Sequence, residues 1–308
     1  MENIDKKIND IILKNKPKLS SSSIKTYISI LKNLYYNINK PGSKFNPDFF
    51  EDSKTILEYL KDKPSQNRKT ILAAIITFNG NNNNNNNKFR NLMNDDADNT
   101  HNEDIKQKKN DKQKENWVSN DDIKNKYNEL NIKLNKILKI KKDDELTTYE
   151  YQLFQNIIIL ALMSGIYIPP RRLEYIDMKI KNYDKKTDNY KNSDELYFNK
   201  YKSAKFYGEQ VVKLPKELNL LLNKFIKYNN KFIDTDYLLV DNNKNKLSNV
   251  QLNQRINKIF GKNVGVNGFR HSFITEKNVN IPELTELMDD AKQMGHSLEK
   301  HLEYIKRD

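Results

Sequence analysis

MGHSLEKHLEYIK (294–306) is the stretch on which the reading of the whole chain turns. As a helix it carries a narrow apolar stripe of Leu298, Leu302 and Ile305. At ~100° per residue, Tyr304 falls about 120° from the centre of that stripe. The core does not need Tyr304, which leaves it free for another task. It follows His296 by eight residues, in a chain with seventeen tyrosines but only four histidines.

Working outward, residues 1–79 read as a small, basic, all-helical unit. LSSSSIKTYISILKNLYYNI (19–38) places serines at an N-cap and then Ile24, Ile28, Leu31, Leu34 and Tyr35 at helical spacing. SKTILEYLKD and PSQNRKTILAAIITF give a further helix pair. Residues 80–115 contain seven consecutive asparagines, Asn81 to Asn87, followed by a charged stretch with almost no apolar residues. That composition cannot bury enough surface to offset ordering entropy, so a disordered linker is expected. From 116 to 308 the chain reads as globular again. Helices are expected over 120–139 and 148–166, with Pro169 and Pro170 ending one helix and starting the next. ELYFNKYK and EQVVKLP form the strands of a hairpin joined by SAKFYG, and DYLLV forms a short strand. PKELNLLLNKFIKY, LSNVQLNQRINKIFG, a segment opened by RHSFITE, and ELTELMDDAKQM add helices. The expected class is mainly α with a small antiparallel β-sheet (α+β).

The 308 residues suffice for two domains, and 36% hydrophobic residues suffice for packed cores. A net charge of +13, from 54 Lys+Arg against 41 Asp+Glu, favours a polyanionic partner, nucleic acid ahead of a membrane surface. The absence of cysteine excludes disulfides, thiolate metal sites and cysteine nucleophiles. His101, His271, His296 and His301 are too scattered for a metal cluster. The charged amino end lacks the apolar run of a secretion signal, and IIILALMSGIYI (157–168) is too short to span a bilayer. The expectation is a soluble, intracellular protein with no membrane partner.

Four stretches remain: PPRRLEY (169–175), YFNKYKSAKFYGEQVVKLP (197–215), NGFRHSFITE (267–276) and MGHSLEKHLEYIK. In this order they resemble the catalytic domain of the tyrosine recombinases, or phage integrases, whose fold is shared with type IB topoisomerases. The resemblance covers 117–308 and extends to the helical amino unit, which is similar to the family's core-binding (SAM-like) domain. It implies a tyrosine-recombinase-like catalytic domain over 116–308 that cuts and rejoins DNA through a 3′-phosphotyrosyl intermediate. The bond energy is held in that intermediate, so neither ATP nor a metal or other cofactor is implied. Double-stranded DNA is the implied partner, a homo-tetramer on DNA the implied assembly, and a mobile element or virus the implied setting.

Residue by residue, the resemblance makes Tyr304 the nucleophile and His296, after Gly295, a hydrogen-bond donor to a nonbridging phosphate oxygen. Arg171, three residues before Glu174, and Arg270, before His271, become the cationic clamps. Planar, permanently charged guanidinium groups suit a phosphate that gains charge in the transition state. Arg172 is the alternative to Arg171, which is read at a helix start. Lys202 corresponds to the lysine that protonates the leaving 5′-oxygen, with Lys200 and Lys205 as rivals. Glu174 and His271 are read as structural. Asn267 stands where the family has histidine; it can hydrogen-bond a phosphate oxygen but cannot shuttle a proton near pH 7. The His296–Tyr304 spacing is one residue shorter than the family's commonest, and the Arg270–His296 segment is a few residues longer. A type IB topoisomerase-like relaxing enzyme and a noncatalytic DNA-binding relative are the alternatives.

Overall fold

The computed structural model describes all residues but 1–3, 41, 81–85, 142–143, 279–281, 295–296, 300–301 and 303–308. The chain is mainly helical with one four-stranded sheet. It divides into two compact units, 1–108 with 282–308, and 109–281. Among the described residues no helix is long and apolar enough to cross a membrane.

The first unit is built on α1 (Ile4–Asn15), α2 (Ser21–Asn39), α3 (Ser53–Leu60), α4 (Ser65–Asn79) and α5 (Asn86–Ile105). Ser20 caps α2 by accepting from the Ser23 amide at 3.2 Å. Of the apolar positions read from sequence in α2, Ile24, Leu31, Leu34 and Tyr35 are buried and Ile28 is half-buried; Ile56, Leu60, Leu72 and Ile75 join them in the core. Phe50 and Phe78 meet at 4.8 Å between centroids and anchor it.

The expectation of a disordered linker does not hold for residues 86–105 and 111–115, which are helical. α5 packs on α4 through the fully buried Phe89. Asp96, also fully buried, accepts from Arg68 Nε at 2.9 Å and from its Nη2. Phe89, with Leu92 and Met93 packed beside it, and one shielded ion pair thus anchor a helix that is otherwise almost entirely polar. Its start is tied back as well. Asn86 Nδ2 donates to the Gly80 carbonyl at 2.5 Å, and Asn79 Nδ2 bridges the Phe50 carbonyl and Asn86 Oδ1 at 2.8 and 3.2 Å.

The second unit contains α6 (Asp111–Glu115), α7 (Asn120–Lys141), α8 (Thr148–Met163), β1 (Met178–Lys179), β2 (Asn189–Asn192), β3 (Glu195–Phe198), α9 (Ala204–Tyr207), β4 (Gln210–Lys213), α10 (Lys216–Tyr228), α11 (Asn249–Phe260) and α12 (Val266–Lys277). α8 is the apolar run of the sequence and is buried nearly all round. A reciprocal cap starts it: the Thr147 side chain accepts from the Glu150 amide, and the Glu150 carboxylate accepts from the Thr147 amide. α13 (Leu284–Gln293) closes the described helices and groups with the first unit, its Leu284 amide donating to Gln107 Oε1 at 3.2 Å.

The sheet runs β1-β2-β3-β4. It is mixed rather than purely antiparallel, because the two-residue β1 pairs parallel with β2. The expected hairpin is β3 and β4, with Leu196 opposite Val212 and α9 as its turn. DYLLV makes only isolated bridges, Lys179–Tyr237 and Val240–Lys246, instead of a strand. No α-helix begins after Pro169–Pro170; the chain runs irregularly to a short 3₁₀ turn at Glu174–Asp177. Arg171 therefore does not sit at a helix start.

Candidate active site

Within the second unit, Arg171, Lys202 and Arg270 line one cleft of about 670 Å³. They come from three separate stretches: the Pro169–Pro170 segment, the β3–β4 turn, and the middle of α12. Among the cleft's side chains four are cationic (Arg171, Arg172, Lys202 and Arg270) and one is a carboxylate, Glu174. Such a lining favours an anion, and low-dielectric walls focus its field.

Each cation is held differently. The guanidinium of Arg171 lies 4.1 Å from the Phe198 ring centroid and 5.5 Å from that of Tyr201. Its Nη1 donates to Gln210 Oε1 at 2.9 Å. Its Nε is buried with no partner, and so is Glu174 Oε2. The Tyr175 hydroxyl, fully buried at the cleft, is likewise unpaired, and burial pushes its phenol well above the usual tyrosine range. Unpaired buried polar atoms are costly. Three of them lie beside this one cationic cleft.

Arg270 is half-buried on α12. That helix is clamped by Phe269 against Phe260 (5.6 Å between centroids) and by the Ser272 hydroxyl donating to the Val118 carbonyl. Gly165, after α8, has φ +93°, and a Cβ there would meet Phe273 Cδ2 at 2.5 Å. Glycine suits this position because its φ is one that L side chains rarely adopt and because a Cβ would force the Phe273 ring or α12 to shift. Lys202 is exposed on the turn. Neither of its two rivals lines the cleft: Lys200 pairs with Asp177 at 3.8 Å, and Lys205 lies over the Phe206 ring at 4.6 Å. Arg172 is exposed and lines the same cleft as Arg171.

Asn267 and His271 are not with them. Both are exposed and line a different cavity of about 270 Å³ beside Trp117. His296 and Tyr304 lie outside the described residues. Among the described residues no cluster of three or more metal-ligating side chains is found.

Sequence reasoning missed Tyr175, Tyr201, Gln210 and Asn189. The buried Asn189 joins the segments that carry the site. Its Nδ2 donates to the Glu174 and Lys200 carbonyls at 3.2 and 2.9 Å, and its Oδ1 accepts from the Asn199 and Lys200 amides at 2.9 and 2.7 Å. All four amide valences are used, so the Arg171 segment and the lysine turn share one fixed point. An asparagine in an asparagine-rich chain carries no visible signal of that role.

No family model and no curated protein sequence matches the chain. A solved structure, that of XerA recombinase, aligns over 98% of this chain and 94% of that one at 16% identity, with a TM-score of 0.36. That score is too low to carry an inference about this chain's chemistry.

Proposed function

We propose that the chain is a DNA strand-cutting and rejoining enzyme of tyrosine-recombinase type. The observation that supports this reading most is the convergence of Arg171, Lys202 and Arg270 on one cleft from three distant stretches. A phosphodiester seated there meets two guanidinium groups, and that of Arg171 is held in place by Gln210 and the Phe198 ring. The Tyr304 hydroxyl releases its proton to solvent as its oxygen attacks phosphorus and forms the phosphotyrosyl bond. The P–O5′ bond breaks, and the leaving oxygen takes a proton from Lys202. His296 donates to a nonbridging oxygen. The 5′-hydroxyl of another strand reverses the steps and rejoins the DNA. Exchange between two sites calls for paired subunits, and hence a tetramer on DNA.

A noncatalytic DNA-binding role is the second reading, favoured by one observation: Asn267, standing for the family's histidine, faces a cavity apart from the arginines. A nicked duplex that traps covalent intermediates separates the two. After denaturation, the catalytic reading expects DNA attached to wild-type protein and none to Tyr304→Phe. Duplex binding without any adduct leaves the binding role. An adduct that survives in Tyr304→Phe overturns the assigned nucleophile.

A further inference from the structure

The β3–β4 turn carries two large aromatic side chains in water: Phe206 is 75% exposed and Tyr207 is 71% exposed. Neither is a loose loop residue. The turn is closed by Phe206 and Tyr207 amides donating to the Ser203 carbonyl at 2.9 and 3.2 Å, and by the Gly208 amide donating to the Ala204 carbonyl at 2.8 Å. The Tyr201 hydroxyl ties its far side to the Gly208 carbonyl at 2.7 Å. An ordered turn that holds two adjacent rings outward keeps apolar area wet that nothing in the backbone requires there.

The surroundings point to the occupant. Lys202 and Lys205 flank the rings, against one neighbouring carboxylate, Glu209. Tyr207 itself lines the cationic cleft with Arg171 and Arg270. A strand whose phosphate occupies the cleft places its adjoining bases beside this rim. Aromatic faces next to lysines suit a base plane and a phosphate together, whereas a protein partner would call for a broader apolar field.

We propose that Phe206 and Tyr207 form a base-stacking wedge that engages an unstacked step of duplex DNA beside the phosphate held in the cleft. This rests on the DNA-acting reading of that cleft. The rings take up a base face exposed by local opening, and Lys205 holds the adjoining backbone. Binding is then tighter wherever the unstacking cost is already met.

The experiment compares affinities for a 30-base-pair duplex and for the same duplex with a two-nucleotide gap, by fluorescence anisotropy at fixed salt. Wild type is expected to prefer the gapped duplex by about tenfold, the range of one stacked base. Phe206→Ala with Tyr207→Ala should bring that ratio to about one, and Phe206→Trp should keep it. Lys205→Ala should weaken both duplexes alike. Circular dichroism verifies the fold, which two exposed side chains should not disturb. Equal wild-type binding to both duplexes overturns the wedge and leaves the DNA-acting reading standing, as does an alanine variant that keeps the preference or weakens both duplexes equally. The last result would fit a tip that serves a protein surface or general adhesion. No binding to either duplex overturns the wedge and the underlying reading together.

Discussion

Gly165→Ala tests how the cleft is assembled. Two costs arise at this one position. A φ of +93° is unfavourable for any residue with a Cβ, by about 1–2 kcal/mol. The new methyl would also sit 2.5 Å from Phe273 Cδ2, against an ordinary contact of 3.4 Å or more, leaving about 0.9 Å to be found by moving α12. Overpacking of that size costs about 1–3 kcal/mol. Together these predict about 2–5 kcal/mol, or a fall in melting temperature of about 5–15 °C for a unit of this size. Phe273→Leu in the same chain opens room for the methyl and should recover the packing share but not the backbone share. Arg270 lies one turn from Phe273, so the single variant should also lose phosphotyrosyl adduct by up to about 100-fold, the cost of a displacement near 1 Å. Thermal melts of the single and double variants, with adduct yields below the melt, read all three quantities. A shift under about 2 °C, or a double variant no more stable than the single one, would refute the packing argument. A large shift with unchanged adduct yield would refute the link to Arg270.

Further outcomes are expected. Asp96→Ala removes the counter-charge of Arg68, leaving its guanidinium only the Lys61 carbonyl and the Ser65 hydroxyl, and should destabilise the first unit by about 3 kcal/mol, read by urea unfolding. The hydrogen bond from Arg68 holds the Asp96 carboxyl below the usual aspartate range, so its stabilisation is complete above an unfolded pKa of about 3.9 and is lost as pH falls through the lower folded value. Asp96→Asn should therefore flatten the acid limb of a stability–pH curve below about pH 4. Arg171→Lys keeps a charge but loses both the stack on Phe198 and the Nη1 bond to Gln210, and should cut adduct formation by about 100-fold or more at unchanged fold. Asn267→His should leave the cleavage rate within about twofold, since residue 267 lines another cavity; a large gain would mean that it reaches the phosphate. If about six phosphates are contacted, duplex affinity should fall about 1,000-fold between 50 and 200 mM salt.

What could be read in advance followed periodicity. The buried stripe of α2 and the all-round burial of α8 were written in their apolar spacing, and the β3–β4 hairpin in its alternation. α5 was hidden because its anchors are three apolar residues in a polar stretch, Phe89, Leu92 and Met93, and an ion pair to Arg68, 28 residues away; composition records charge but not its partner. The helix expected after Pro170 failed because Arg171 and Tyr175 turn inward toward Phe198, and that packing outweighs the favourable start a proline offers. β1 and β2 are too short to show alternation, and β2 is buried at Asn189, a polar residue that packs through its hydrogen bonds. For the site, charge and motif order singled out Arg171, Lys202 and Arg270. The groups that position them, Asn189 and Gln210, act through amide geometry that only the folded chain displays.

The bond from Asn86 to the Gly80 carbonyl has a consequence for how this gene can change. Gly80 and Asn86, on either side of residues 81–85, are fastened to each other, so codons gained or lost between them by replication slippage leave both ends of that junction unchanged. Doubling the length of chain between two fixed points costs about 0.6 kcal/mol, little enough for neutral drift in repeat number among otherwise identical copies.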